Sequence, residues 1–329
     1  MATIGNNNLT LADQAKRLDP NGQVASIAEM LAEEFGVLND IPVIEGNLET
    51  GHRHTIRTGL PTVGYRQIND GIDPSKSRTA QMDETAALLE GFSEVDKELL
   101  RLGGNEKAIR FTEDTAFLEA MRQQFADTLF YGDVALTPGK HTGLAPRYNS
   151  LSAANGENIL DAGGTGSDNM SIWLVNWAPN KIFGFFPKGT SAGLEFHDHG
   201  TQINTLSNGK KLAVMNSQYI WRFGLAVKDW QYGVRIANID VSDLTKDASA
   251  GADLIDLMVQ GLVQIKSLEG GNPVWMVNRT AESFIRRQEK NDSNVRLTMD
   301  GAAGRPTLSF GEVPVRRVDA LTLTEAQIT

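Results

Sequence analysis

The clearest pattern of apolar positions lies in residues 112–131. Large apolar side chains recur there at every fourth position and form one stripe along a helix: Phe117, Met121, Phe125 and Leu129. Thr112 is a suitable N-terminal cap, and Gly132 is a suitable stop. The pattern therefore predicts a helix that begins at Thr112 and ends next to Gly132.

After residue 170 the pattern changes to short apolar or alternating runs that are typical of strands. The predicted strands are SIWLVNW, KIFGFFP, KKLAVMNSQYIWRFGLAV, YGVRIANIDV, PVWMVN and closing strands within RPTLSFGEVPVRRVDALTLTE. SNGK, at residues 207–210, indicates a hairpin turn. Two more helices are predicted, over about Ala250–Leu268 and over AESFIRRQEKN. The fold class that follows is α+β.

The first 90 residues contain segments that bury little apolar surface. Residues 1–49 hold two short helix candidates, TLADQAKRL and SIAEMLAEEF, separated by the turn DPNG. From Gly51 to Gly71 the chain mixes β-formers with arginine and threonine, which predicts an extended hairpin exposed on both faces. An isolated two-stranded ribbon is marginally stable in water. We therefore expect that both the arm and the hairpin need support from outside.

Composition narrows the class of protein. The chain has 329 residues, 40% of them hydrophobic, and a net charge of −10. It is long enough to bury a sizeable core, and its acidic balance argues against a dedicated nucleic-acid-binding surface. It has no cysteine, which excludes disulfides and thiolate chemistry. No run approaches the ~18 apolar residues of a membrane span, so no membrane partner is expected.

The charge is unevenly distributed along the N-terminal third. Residues 1–49 carry eight acidic and two basic side chains, residues 50–80 carry two acidic and five basic ones, and residues 81–133 carry twelve acidic and five basic ones. The predicted hairpin is therefore a basic segment between two acidic segments. Such a segment can fold back on its own chain or reach a neighbouring copy.

Histidines provide the main candidate chemistry. Four of the five histidines form two His-x-His pairs, His52 with His54 and His197 with His199. Two imidazoles on one face of a strand can begin a metal site, but no third ligand is indicated. The arginines beside the first pair would repel a divalent cation. A soluble metal-dependent β-rich enzyme that uses these pairs remains the alternative function, beside the interpretation that both pairs lie on solvated strands.

Other candidate motifs do not indicate catalysis. Glu113, Asp114 and Glu119 lie on the predicted helix, where the first two complement the helix dipole. The glycine-rich stretch DAGGTGSDN lacks the lysine and the following helix of a phosphate-binding loop. We therefore predict that the protein is not an enzyme and has no cofactor or metal.

Several long stretches resemble the major capsid proteins of tailed bacteriophages, and within them a group of coat proteins with the HK97 fold. The stretches are TLADQAKRLDPNGQVASIAEML, EGNLETGHRHTIRTGLPTVGYRQIN, TAFLEAMRQQFADTLFYGD, TGLAPRYNSLSAANGENILDAGGTGSDNMSIWLVNWAPNKIFGFFPKGTSAGL and VRIANIDVSDL. The resemblance extends from about residue 9 to residue 326. The longest stretch, over residues 142–194, is the most specific.

The resemblance implies an HK97-like architecture with four parts. The parts are an N-terminal arm (1–48), an extended β-hairpin loop (49–92), a peripheral domain with a long spine helix (93–140 and 290–329) and an axial domain (141–289). An arm and a hairpin that cannot bury themselves fit this architecture, because a neighbouring subunit completes each of them.

The resemblance also implies a structural function. Many copies would assemble into pentamers and hexamers of an icosahedral shell around double-stranded DNA, through a procapsid that matures, in the cytoplasm of the bacterial host. The expected partners are other copies of the chain, a scaffolding protein, a portal protein, a decoration or cement protein and non-specifically packaged DNA. The arm is too short for a fused scaffolding domain of ~100 residues, so we expect a separate scaffolding protein.

Charged residues of the hairpin and the helix are the candidates for contacts between subunits. In this fold the extended loop lies over the peripheral domain of a neighbour. We predict that basic residues of the hairpin pair with acidic residues of the helix across that boundary. The basic candidates are Arg53, Arg57, Arg66 and Lys76, and the acidic candidates are Glu113, Asp114 and Glu119. Lys76 is also a conceivable donor for a covalent crosslink, but no partner residue can be identified in the sequence.

Overall fold

The computed structural model describes residues 35–102, 105–205, 209–291 and 308–329. The helix candidates of the N-terminal arm, except Phe35, lie outside these residues. The helices are α1 (Lys97–Leu102), α2 (Glu106–Tyr131), α3 (Leu254–Gln264) and α4 (Arg279–Asn291). The strands are β1 (Val43–Glu45), β2 (Gly51–Gly59), β3 (Arg78–Thr85), β4 (Ala87–Asp96), β5 (Ile159–Asp161), β6 (Asn169–Trp177), β7 (Ile182–Phe186), β8 (Leu194–Thr205), β9 (Lys211–Val227), β10 (Gly233–Asp240), β11 (Asn272–Val277), β12 (Ser309–Phe310) and β13 (Val313–Arg317).

The chain forms two compact units. The described part of unit 1 consists of residues 88–102, 105–126, 193–205 and 209–222. The described part of unit 2 consists of residues 35–87, 127–192 and 223–329 without the gap at 292–307. Helix α2 and strand β9 contribute residues to both units.

The apolar stripe of α2 forms part of the core of unit 1. Phe125 is buried and stacks on Trp221 of β9, with the ring centroids 4.2 Å apart. Gly91 of β4 lies opposite the stripe, where an added Cβ would be 3.6 Å from the sulfur of Met121 and 3.7 Å from Phe117. Unit 1 also contains the antiparallel pair of β8 and β9, with a bulge between Asp198 and Gly200. The predicted stripe is confirmed.

The start of the helix was predicted six residues too late. Helix α2 begins at Glu106, and the side-chain oxygen of Asn105 accepts a hydrogen bond from the Ala108 N–H at 3.2 Å. Thr112 lies inside the helix, where its hydroxyl donates to the Ala108 carbonyl at 2.9 Å. The predicted end is confirmed, since α2 ends at Tyr131. An added Cβ on Gly132 would lie only 2.4 Å from the His141 carbonyl oxygen.

Strand β6 lies at the centre of unit 2, and all nine of its residues are buried. It pairs antiparallel with β10 on one side and with β11 on the other. Strand β13 adds to β11 in parallel, and β1 adds in parallel to β7. Helices α3 and α4 pack on this sheet, where Met258 and Ile285 belong to the same apolar core as Trp275. The strands and the two helices predicted in this region are confirmed, with α3 shorter than predicted at both ends.

The extended hairpin exists, and its return strand lies beyond the 51–71 stretch from which the hairpin was predicted, within the predicted loop of 49–92. Strand β2 pairs antiparallel with β3, from Gly51 opposite Thr85 to Gly59 opposite Arg78. The connection between them, residues 60–77, contains no strand. The alternating apolar residues of TVGYRQI are exposed in this connection, so the alternation there does not reflect pairing.

Two segments group differently from the predicted domain bounds. Residues 193–222, predicted in the axial domain, cluster with most of α2 in unit 1. Residues 308–329, predicted in the peripheral domain, lie in unit 2, where β13 pairs with β11. Both groupings in the structure rest on pairing between residues far apart in sequence. Arm, peripheral and axial are positions in a shell, so the domain assignment as such stays a prediction.

Candidate intersubunit contact site

The connection of the hairpin carries an apolar surface with no packing partner in the described residues. Leu60, Val63, Tyr65 and Ile68 each expose at least 80% of their surface, and Ile72 exposes 53%. Soluble monomers rarely leave so many large apolar side chains of one short segment uncovered. The segment is therefore suited to contact another chain.

Arg53 is already paired within its own hairpin. Its guanidinium donates to both carboxylate oxygens of Asp83 on β3, at 2.5 and 2.7 Å. The hydrogen bond from Arg53 lowers the pKa of the Asp83 carboxyl. Both side chains are about half exposed, so solvent screens this pair. Of the predicted contact residues, Arg53 is the one whose charge the hairpin itself neutralises.

The remaining basic candidates are exposed on the hairpin. The side chains of Arg57 and Lys76 have no hydrogen bond or ion pair with any residue that the structure describes. Arg66 donates to the Asp70 carbonyl at 2.9 Å, which leaves its charge without a carboxylate partner in the described chain. These three cations are therefore available to a neighbouring subunit.

The acidic candidates on α2 are half buried, and the partners that the structure shows for Asp114 and Glu119 lie within unit 1. Glu119 accepts a hydrogen bond from a terminal nitrogen of Arg122 and one from Gln123, both at 3.1 Å. Asp114 is hydrogen-bonded to Tyr219. Burial and this carboxylate raise the pKa of Tyr219 to about 12. The described partners of the basic and the acidic candidates lie within their own units, so the predicted pairing between subunits stays a proposal.

The two histidine pairs lie in different environments. His197 and His199 are exposed on β8, with ring centroids 6.5 Å apart, and His199 contacts the Gln218 side-chain oxygen at 2.6 Å. His54 is buried at the base of the hairpin, and the partly buried His52 packs beside it. Within the described residues, no group of three or more histidine, aspartate or glutamate side chains is placed to hold a metal ion.

A buried ion pair fixes the hairpin base to the rest of unit 2, and sequence reasoning missed it. Arg147 donates to both carboxylate oxygens of Glu84 on β3, at 2.7 and 2.6 Å. Its second terminal nitrogen also donates to the carbonyls of Thr142 and Leu225. The two partners are 63 residues apart in sequence, and no local pattern links them.

A second buried network holds the C-terminal segment, and it was also missed. The Glu325 carboxylate accepts hydrogen bonds from Tyr131 at 2.6 Å, from Arg235 at 2.8 Å and from the Ser171 hydroxyl. Burial and the neighbouring carboxylate raise the pKa of Tyr131. Three elements of unit 2, the end of α2, β6 and β10, are thereby tied to the last residues of the chain.

Comparison with known proteins identifies the family of this chain. The family model of major capsid protein GP7 matches residues 19–329. The chain belongs to the GP7 family of major capsid proteins. It is a capsid protein of tailed bacteriophages. It is therefore located in the virion, and it assembles with other copies of itself.

The solved structure of bacteriophage epsilon15 is similar over the whole capsid protein. The two chains are 32% identical, the match covers 100% of each, and the TM-score is 0.80. This likeness shows that the α+β architecture is the HK97-like capsid fold. The extended loop and the spine helix predicted from the sequence correspond to the β2–β3 hairpin and to α2.

More distant matches are also phage capsids. The bacteriophage JBD30 capsid matches 91% of this chain and 96% of its own at 12% identity, with a TM-score of 0.48. A JBD30 capsid decorated with trimers of a minor capsid protein matches at 11% identity, 91% of this chain, 95% of its own and a TM-score of 0.46. No curated protein matches the chain. None of the described helices is long and apolar enough to cross a lipid bilayer.

Proposed function

We propose that copies of this capsid protein assemble into pentamers and hexamers of an icosahedral shell that encloses double-stranded DNA. The observation that carries the proposal is the exposure of the apolar residues in the hairpin connection 60–77. Burying such side chains against a neighbour is favourable by about 25 cal/mol per Å² of apolar surface. A closed shell repeats this contact at every subunit, so a modest contact suffices.

The hairpin connection lies over the peripheral domain of the neighbouring subunit in this proposal. Its apolar residues supply most of the contact, and the cations Arg57, Arg66 and Lys76 approach acidic residues there. Glu113, Asp114 and Glu119 all have interactions within their own chain already, so each would share its carboxylate with these cations. The arm, axial and peripheral assignments belong to the same proposal.

Further partners follow from the needs of such a shell. A separate scaffolding protein would set its curvature, a portal protein would occupy one vertex, and a decoration protein would bind outside. Assembly would take place in the host cytoplasm as a procapsid that matures. The net charge of −10 supports non-specific packaging of DNA, because a strongly basic lining would hold DNA and oppose its movement. No catalytic residue and no cofactor enter this function.

The apolar contact is tested by a pair of matched variants. Val63→Ser with Ile68→Ser removes two side chains of the connection that are 86% and 94% exposed. Leu136→Ser with Val263→Ser is the control, since these residues outside the hairpin are 83% and 82% exposed. Sedimentation and electron microscopy of the purified proteins should show shells for the control and small species for the hairpin variant. Shells from both variants in equal yield, or from neither, would contradict the proposal.

A further inference from the structure

Three imidazoles surround the buried ion pair at the base of the hairpin. His54 and His141 are 6% and 2% exposed, and both ring nitrogens of each have no hydrogen-bond partner in the described residues. His52 is partly buried, and its Nδ1 is likewise buried without a partner. Buried polar groups usually have a hydrogen-bond partner, so three such rings in one place are unusual.

The rings are packed among aromatic side chains of unit 2. The His52 ring centroid lies 5.5 Å from that of Phe183 and 5.6 Å from that of Phe185, both on β7. The His141 ring lies 5.4 Å from Phe223 of β9. An apolar environment of this kind can hold a neutral imidazole, but it opposes a charged one.

The charges around these rings are predominantly positive. The pKa values of His52 and His54 are lowered mainly by burial, and burial lowers that of His141 to about 3. The charged groups that act on the three rings are Arg147, Lys140 and Lys228, which oppose protonation, and Glu84, which favours it for His52 and His54. His54 also acts on the exposed Asp83. Among these charged groups Glu84 is the carboxylate that favours protonation, and it already accepts two hydrogen bonds from Arg147.

We propose that the hairpin base, residues 51–54 and 84–86, is a pH-sensitive latch whose seating against β7 and Arg147 requires neutral His52, His54 and His141. Protonation of His54 or His141 places a new positive charge near the Arg147 guanidinium, and protonation of His52 places one near Lys228. The one carboxylate there, that of Glu84, cannot compensate the added charge. The base then separates from the rest of unit 2, and the ion pair between Glu84 and Arg147 opens. This property concerns the fold of one subunit, so it goes beyond the proposed assembly function.

The pH window follows from the direction of the shifts. The three pKa values are lower in the folded chain than the ordinary value of about 6.5, so the open form binds more protons than the closed form. The latch is therefore fully stable above about pH 6.5 and loses stability as the pH falls below it. Below about pH 6.5, one histidine that must stay neutral lowers the equilibrium constant for closing by about tenfold per pH unit. Three such histidines make this dependence steeper.

The chain supplies its own control for this proposal. His52→Gln with His54→Gln and His141→Gln removes the three buried titratable rings, whereas His197→Gln with His199→Gln removes the exposed pair on β8. Amide hydrogen exchange of the hairpin base is measured from pH 7.5 to pH 5.0 on the full-length protein and corrected for the intrinsic pH dependence. Protection in the wild type and in the exposed-pair variant should fall at least tenfold over this range, and the buried-triple variant should keep its protection. Constant protection in the wild type, or an equal fall in the buried-triple variant, would overturn the proposal.

A second measurement needs no substitution and so remains decisive if the triple variant does not fold. Exchange of the imidazole C2 hydrogens, followed by mass spectrometry of the wild-type protein, gives a titration midpoint for each histidine. Midpoints below about 6.5 for His52, His54 and His141 support the latch. Midpoints at or above that value for all three contradict it, since the closed base would then accept protons as readily as the open one.

Discussion

At the scale of single residues, buried polar side chains tie together segments that are distant in sequence. Glu325 is the clearest case, because it accepts hydrogen bonds from Tyr131, Ser171 and Arg235 and is at most 9% exposed. Arg235 is 4% exposed and also donates to the Tyr148 carbonyl at 2.7 Å. A buried pair of this kind is not strongly stabilising in total, but the removal of one partner leaves an uncompensated charge.

Glu325→Gln should therefore destabilise the folded chain by about 3 kcal/mol. Glutamine keeps the size and some hydrogen bonds of the side chain, but it removes the charge opposite Arg235. The control is Glu98→Gln, whose partner Arg101 is exposed, and it should cost less than about 1 kcal/mol. Urea unfolding of the purified proteins measures both changes. A Glu325→Gln variant as stable as the control would show that this network does not hold the C-terminal segment.

Residue-level contacts were the least predictable part of the structure. The stripe of α2 follows from a four-residue spacing, so the burial of Met121 and Phe125 could be predicted. The pairing of Glu84 with Arg147 could not be predicted, because the packing of the hairpin base against the rest of unit 2 brings these two distant residues together. For the same reason, the sequence did not distinguish the buried histidine pair from the exposed one.

At the scale of elements, the hairpin is the element whose large apolar side chains find no packing partner in the described chain. Its base is buried at Gly51, His54 and Glu84, whereas its connection over residues 60–77 is exposed throughout. The hairpin itself was predicted correctly from its composition. Strand β3 was missed because RTAQMDET contains few apolar residues, and strand propensity outside the core is a weak signal.

Charge reversal on the hairpin tests the proposed pairing between subunits. Arg57→Glu with Arg66→Glu should block shell assembly or lower shell stability, because both cations are exposed and neither has a carboxylate partner in the described chain. The defect should resemble the effect of high salt on wild-type shells, since salt screens exposed charges.

The matched control for charge reversal changes net charge equally at another place. Lys188→Glu with Lys211→Glu reverses two exposed lysines outside the hairpin and should leave assembly close to that of the wild type. The yield of shells and their dissociation in increasing salt are compared for the three proteins. Normal shells with normal salt response from the hairpin variant would show that its arginines only keep an exposed segment soluble.

At the scale of the whole molecule, the chain order and the spatial order of the segments differ. The C-terminal strand β13 pairs in parallel with β11, with the 292–307 segment of the chain and α4 between them in sequence. The β8–β9 pair joins most of α2 in unit 1 although more than 60 residues separate them. Local patterns predict which elements exist, but such non-local pairing depends on the packing of the entire sheet. The family resemblance therefore predicted the fold, whereas the grouping of these two segments follows from the long-range pairing.

The central claim is that the subunit completes its exposed hairpin on a neighbouring copy. Cryo-electron microscopy of particles assembled from the purified capsid protein tests it most directly. We predict icosahedral shells of pentamers and hexamers in which Leu60, Val63, Tyr65 and Ile68 are buried against an adjacent subunit. Shells in which residues 60–77 remain in solvent, or a small oligomer in place of shells, would contradict it.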